Sequence, residues 1–472
     1  MILNFFGIGR ELDIYFGSNS INFILVSISI GAINFAITPI LINYYKNNNH
    51  NKLEEIVCSL FNIIFVGFFI FALFQYLIAP YLLRLILPGF SEIDLDLAIR
   101  LFRFQAFISI ITVLSSILLA LHYTFNLLYR TILYPIITNL VQIIFVWMYY
   151  KDLGVFSLLI GLAVSQSLSF ILFSIPFLKL YKFKIVFSKD LKDASQKIYP
   201  LILSSSFAKS NILIDRFFAS TLSTGSISLL QYGEKIIKMI SEFINKGISL
   251  VSLRKFSLEQ DNEKEFQRLF YKICKTMIFI VVPVCFLIID YLKDALNLVI
   301  LSDKLSYADL EKIYLVAIAF IGIFIGGSLS STITNAFYAK GLTKIIAKVN
   351  VFMQVFAISL KIFMFYLIGF WGLPLAFSIS SVIGSIVLFI LYYFYIYKYD
   401  NKLLVTYILK ILILSFISYF LSKYIIDFNL ELEKYRVFIG PFLFMLIFTL
   451  LSLIFEKDIS NSILTKLLKT NK

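Results

Sequence analysis

Cysteine and histidine are scarce in this chain, and their scarcity removes several kinds of chemistry. Cys58, Cys274 and Cys285 are scattered and odd in number, so they form neither a CxxC pair nor a disulfide framework. His50 and His122 stand too far apart in the sequence to indicate a metal site. No GxxxxGK[ST] segment is present, which excludes ATP hydrolysis through a P-loop. A nucleophile elbow and an HExxH helix are also missing. No catalytic residue, metal or cofactor is expected.

Charge is scarce too. Only 15% of the 472 residues are charged, 60% are hydrophobic, and the mean hydropathy is +0.90. A soluble protein of this size carries far more charge. Apolar runs of about 20 residues recur from end to end, each long enough to cross roughly 30 Å of hydrocarbon. No long polar stretch is left over for a soluble domain. The opening MILNFFGIGRELDIYF lacks a basic start and a small-residue cleavage site, so a cleaved leader is not expected. The fold class is therefore an all-α polytopic membrane protein, and a carrier is favoured over an enzyme. The net charge of +14 would point to nucleic acid in a soluble protein. Here basic loops that fix orientation explain it, and no nucleic-acid partner is expected.

About fourteen transmembrane helices are legible, near 2–16, 19–44, 56–79, 96–121, 130–150, 153–178, 197–219, 225–252, 268–291, 310–337, 344–368, 371–396, 403–425 and 436–455. The longer connections are polar: KFKIVFSKDLKDASQK, RKFSLEQDNEKEFQR and SDKLSYADLEK. Loops after even-numbered helices hold about three times the Lys and Arg of the others, which puts both termini in the cytoplasm.

The chain repeats itself. RLFRFQAFISIITVLSSILLALHY and GVFSLLIGLAVSQSLSFILF, near residues 100–175, return as IYLVAIAFIGIFIGGSLSSTITNAFY and GLPLAFSISSVIGSIVLFIL near 313–395. Tyr123 matches Tyr338 and Gly154 matches Gly372, at spacings of 215 and 218. A six-helix unit thus occurs twice in parallel, and two such lobes around a central cavity can rock for alternating access. The expected division is an N-terminal lobe at 1–180, a C-terminal lobe at 190–398, and two extra helices with a cytoplasmic tail at 402–472.

Charges at membrane depth must face protein, water or one another. Glu234, Lys238, Glu242 and Lys246 recur every fourth residue and share a helix face. Two readings stay open for them. They line a polar cavity, or they neutralise one another as Glu-to-Lys pairs four apart. Lys235 stands about 100° from Glu234, outside that row. The first helix carries Arg10, Glu11 and Asp13; the seventh carries Lys209, Asp215 and Arg216. Asp215 and Arg216 point in different directions, so each needs a partner elsewhere. The balance is mildly cationic and suits an anion such as pyrophosphate. Arg10, Arg216, Lys235 and Lys238 are the candidate substrate ligands; Asp215, Glu234 and Glu11 are candidates for charge balance or ion coupling. Lys361 and Lys410 are read as snorkelling or packing, and Arg100 and Arg103 as meeting headgroups or the acidic loop before them. Tyr149, Tyr150, Tyr392 and Tyr393 fit an interfacial belt, and the glycines of IGIFIGGSLS fit close helix packing.

IDRFFASTLSTGSISLLQYGEKI (214–237) resembles a stretch of the lipid II flippase family (MurJ/MviN type), within the multidrug/oligosaccharidyl-lipid/polysaccharide exporter superfamily. Asp215, Gly225, Ser226, Ser228, Tyr232, Glu234 and Lys235 stand at the family's places. GRELDIYFGSNSINFILVSISI (9–30) resembles its first turn, and LPGF (87–90) and NAFYAKGLTK (335–344) match in order. The resemblance implies a flippase that carries an undecaprenyl-pyrophosphate-linked glycan from the inner to the outer leaflet of the bacterial cytoplasmic membrane. It implies two lobes around a cationic cavity, and two extra helices that form a groove for the lipid tail. The expected partners are that glycan, membrane lipid and a monovalent cation, and the chain is expected to act as a monomer. Two departures stand out. The second-helix region SISIGAINFAITPIL lacks the family's arginine pair, and Lys235 replaces an arginine, losing its bidentate fork. A flippase for another lipid-linked oligosaccharide, and a membrane scaffold that has lost transport, are the alternatives.

Overall fold

The computed structural model describes residues 2–182, 184, 186, 202, 205, 206, 209–299, 305–396, 401–428 and 435–455. Helix dominates, and no strand occurs among these residues. The start of the seventh expected helix (197–208, apart from three residues), most of the KFKIVFSKDLKDASQK loop, the SDK of the third polar loop and the tail after 455 lie outside them.

The helices are α1 (Ile2–Phe6), α2 (Arg10–Ala36), α3 (Thr38–Lys46), α4 (His50–Ile86), α5 (Glu92–Thr124), α6 (Leu128–Leu153), α7 (Phe156–Ser174), α8 (209–220), α9 (Ser226–Leu258), α10 (Glu263–Val299), α11 (Tyr307–Ala319), α12 (Ile321–Ala339), α13 (Thr343–Ile368), α14 (Gly372–Tyr395), α15 (Asn401–Phe428) and α16 (Arg436–Phe455). Ten described spans are long and apolar enough to cross a membrane. One of these, Thr343–Tyr395, contains both α13 and α14. Helix α9 is not among the ten, since its charges recur every turn. About fourteen crossings are compatible with this set.

Three boundaries differ from expectation, one being the division of 19–44 at Ile37 between α2 and α3. The first break falls at Gly7–Gly9 rather than after Phe16, so α2 runs unbroken through Gly17 and Ser18. Residues 310–337, expected as one helix, are divided at Phe320. The break leaves backbone groups unpaired at membrane depth, where no water can meet them. Ser378 of α14 meets them instead: its Oγ donates to Ala319 O at 2.5 Å and accepts from Gly322 N at 3.2 Å.

The described chain forms two compact units, Met1–Ser228 and Leu229–Lys472. In the first, α5 is the central element, packed by α2, α4 and α7. Its residues Leu101, Phe102, Ala106, Val113, Ile117 and Leu121 are wholly buried. In the second, α14 packs on α12 and α13, while α10 packs on α12 and α15. Tyr392, expected in an interfacial belt, lies in this core instead, stacked 3.7 Å from Phe270.

The repeat recurs in the helix ends. Ser91 and Asp94 form a capping box at the start of α5, and Ser306 and Asp309 form another at α11. Left-handed residues at Asn126 and Gly154 recur at Gly341 and Gly369. Every one of these pairs is 215 residues apart. The structural partner of Gly154 is therefore Gly369, three residues before the glycine chosen from sequence. The equivalent of the Phe320 break falls inside the unbroken α5, so the copies differ there.

Small residues let α12 approach α14. A Cβ on Gly326 would lie 2.3 Å from Ser381 O, whereas one on Gly67 in α4 would meet nothing within 4 Å. Gly326→Val should push α12 off α14 and cost about 1–3 kcal/mol. A thermal-unfolding series in detergent should show a lowered midpoint for Gly326→Val and no loss for Gly67→Ala; equal midpoints would refute the packing account.

Candidate functional site

In the first unit Arg10, Asp13 and Arg216 are held by bonds to other segments. Arg10 donates from Nε to Asp94 Oδ2 at 2.9 Å and from Nη2 to Gly89 O at 3.3 Å. Its guanidinium lies 4.1 Å from the Phe90 ring centroid. Asp94 is also the capping acid of α5, so Arg10 ties the start of α2 to the LPGF turn. A ligand at Arg10 would share the guanidinium with that carboxylate. Glu11, one residue on, is exposed.

Asp13 has a role that sequence reading did not assign. It is 1% exposed and accepts three hydrogen bonds at the turn into α9. Gly225 N donates to Oδ2 at 2.6 Å; Ser228 N and Oγ donate to Oδ1 at 2.7 and 2.9 Å. An anion at a helix N-terminus meets the orphan amides and the positive end of the dipole. Gly225 is suited to this turn: its φ is +92°, and a Cβ would meet Ile8 Cγ2 at 2.6 Å. The Gly-Ser-Ile-Ser run is thus a carboxylate-binding turn.

Arg216 is 3% exposed, and its Nε donates to Ser20 Oγ at 2.9 Å and its Nη1 to Ile227 O at 3.4 Å. Asp215 is also buried and engaged. Both residues thus have the partners that their adjacent positions on α8 demand.

In the second unit the α9 row pairs with itself. Lys238 Nζ lies 2.5 Å from Glu234 Oε1, and Lys246 Nζ lies 2.9 Å from Glu242 Oε2. Lys235 is exposed and forms no ion pair among the described residues. Among the described residues, Glu234 and Glu242 pair with Lys238 and Lys246 and not with Lys235. Lys361 on α13 is 0% exposed, with Nζ 4.7 Å from the Phe377 ring centroid; Lys238 Nζ lies 5.9 Å from the same ring. Burial rules out snorkelling for Lys361. Lys410 Nζ donates to Phe455 O at 2.6 Å. Arg100 pairs with Asp96, and Arg103 lies over Tyr76, 4.3 Å from its ring centroid.

Asp13→Ala should orphan the Gly225 and Ser228 donors, at a cost of about 2–3 kcal/mol. Hydrogen exchange at the amides of residues 225–228 should accelerate in that variant. Unchanged exchange would show that Asp13 does not hold the turn.

The sequence profile of the family described as "Lipid II flippase MurJ" matches residues 2–455. A probable lipid II flippase MurJ of Buchnera aphidicola subsp. Baizongia pistaciae is 24% identical over 382 residues, 76% of this chain and 72% of that protein. A second, from Borreliella burgdorferi, is 24% identical over 428 residues, 88% of this chain and 82% of that protein. A solved structure of a lipid II flippase MurJ in an inward closed conformation superposes with a TM-score of 0.83 at 23% identity, covering 97% of this chain and 95% of that one. A multidrug resistance MATE transporter of the MOP superfamily, facing inward, gives 0.69 at 13% identity, covering 82% and 90%. With the family profile matched over nearly its whole length, the chain belongs to the lipid II flippase MurJ family.

Proposed function

We infer that this chain is a flippase for lipid II, the lipid-linked precursor of peptidoglycan, and not an enzyme. The family match from residue 2 to residue 455 carries this reading. The physical task fits the residues. A pyrophosphate brings negative charge into a membrane, and its carrier must offer cations that are not already cancelled. Lys235 is such a cation.

For the site we propose Arg10 and Arg216 in the first unit, and Lys235 and Lys238 in the second, as contacts to the pyrophosphate. Asp215, Glu234 and Glu11 balance charge or couple a monovalent cation. Lys238 would have to release Glu234 to take up a phosphate oxygen, so Glu234 acts as its resting counter-ion. The setting is the bacterial cytoplasmic membrane with both termini inside, as the loop charges support. The chain acts as a monomer, with lobes at 1–180 and 190–398 and accessory helices from 402 on.

The uncharged SISIGAINFAITPIL segment favours one second reading. Without the arginine pair usual in the family, the headgroup site suits a different lipid-linked oligosaccharide, such as a surface polysaccharide unit.

Depletion of the essential lipid II flippase in a bacterial host gives the test. The wild-type chain should restore growth, and Lys235→Ala should fail to do so at equal membrane abundance. Full rescue by Lys235→Ala would remove Lys235 from the site. Absence of rescue by the wild-type chain at normal abundance would favour the other glycan.

A further inference from the structure

Arg10, Arg84, Arg100 and Arg103 stand toward the turn from α4 into α5. Arg10 pairs with Asp94, Arg84 with Glu92 and Arg100 with Asp96. Arg103 meets no carboxylate among the described residues. Its Nε donates to Tyr76 O at 3.0 Å, and its guanidinium lies 4.3 Å from the Tyr76 ring centroid. Both Nη groups lack a partner among the described residues, so the half-buried guanidinium is held in place with most of its donors unused.

From Tyr76 a row of rings follows the seam between α4 and α5. The centroids of Tyr76 and Phe107 lie 6.4 Å apart, those of Phe107 and Phe69 6.5 Å, and those of Phe69 and Phe65 6.3 Å. All four rings are exposed. Phe65 also lines an apolar cavity of 390 Å³ between α4, α5 and α7, together with Phe61, Val57, Leu118 and Phe170. Cation, rings and cavity thus form one continuous track on the first unit.

We propose that this track docks a polyprenyl pyrophosphate lipid, with the pyrophosphate on Arg103, the tail along Tyr76, Phe107, Phe69 and Phe65, and its far part in the cavity. This deepens the flippase reading and rests on it. The loop charges that put both termini inside put Arg103 toward the outer leaflet, so the lipid docked there is the flipped one.

Charge and length both select this occupant. A guanidinium beside hydrocarbon is costly, and phosphate oxygens offer it charge-assisted bonds. Along α4 the track runs about 16 Å from Tyr76 to Phe65 and about 12 Å more to Val57. One leaflet supplies about 15 Å of hydrocarbon, half of the roughly 30 Å core. The acyl chain of a phospholipid held by Arg103 therefore ends near Phe65. A polyprenyl tail is longer and continues into the cavity.

The experiment uses the full chain in phosphatidylcholine nanodiscs, with photoreactive p-benzoylphenylalanine in place of Phe61. A second chain, labelled instead at the exposed Leu178 of the same cavity, repeats every arm. Undecaprenyl pyrophosphate should form an adduct with the label. Arg103→Met should lower the yield about tenfold, and Arg103→Lys should recover most of it. Farnesyl pyrophosphate, whose tail is short, should give no adduct, and excess phosphatidylglycerol should not compete. Equal yields in wild type and Arg103→Met, or an adduct with farnesyl pyrophosphate, would overturn the track. Competition by phosphatidylglycerol would make it a phospholipid site and overturn it. Equal losses in Arg103→Met and Arg103→Lys, with a lowered thermal midpoint, would assign Arg103 to structure and overturn it as well. No adduct in labelled chains that still move lipid II would overturn the track and leave the flippase reading intact. An unlabelled chain that neither binds undecaprenyl pyrophosphate nor moves lipid II would overturn both.

Discussion

A carboxylate with no water to solvate it must find its hydrogen bonds within the protein, and Asp13 meets that demand at the turn into α9. Its two oxygens take three donors at the turn into α9. The turn needs a left-handed glycine, and the glycine needs a partner for its amide. Once formed, the turn fixes where α9 begins and holds α2 against it. Bonds from Arg216 to Ser20 and from Lys209 to Ser27 extend the same contact down α8.

The same rule governs polar groups elsewhere in the first unit. Asn22, Gln75 and Gln105 join α2, α4 and α5 through amides, with Gln75 Nε2 donating to Asn22 Oδ1 at 2.9 Å. Serines along α5 return their hydroxyls to carbonyls of their own helix, as Ser115 does to Ile111. The second unit uses local pairing more. Glu234 and Lys238 satisfy one another on a single helix, as do Glu242 and Lys246. Such pairs balance charge within one helix and need no partner on a neighbour. The buried Lys361 is the contrary case, an ammonium enclosed against Phe377.

The two halves share ends more than middles. Capping boxes and left-handed turn residues repeat at 215, because a helix end has few solutions: its orphan amides need a side-chain oxygen, and its reversal needs a positive φ. Helix interiors face no such restriction. There α5 stays unbroken where α11 and α12 divide, and a serine from α14 meets the backbone groups at the division.

The sequence by itself determined the class, the repeat and the family, since long apolar runs, spacing and ordered motifs are properties of the chain alone. It also placed the α9 pairs correctly, because partners four apart on a helix are local. It left open whether those pairs neutralise one another, and it gave no role to Asp13, Ser20 or Ser27. Their partners lie far along the chain, and serine in an apolar helix usually bonds its own backbone. The spacing of seven was visible, but nothing local said which helix it faced. Burial of Lys361 and Tyr392, the break at Phe320 and the engagement of Arg10 by Asp94 are tertiary facts for the same reason. Periodicity fixes the face on which a side chain stands, and only packing decides what stands opposite.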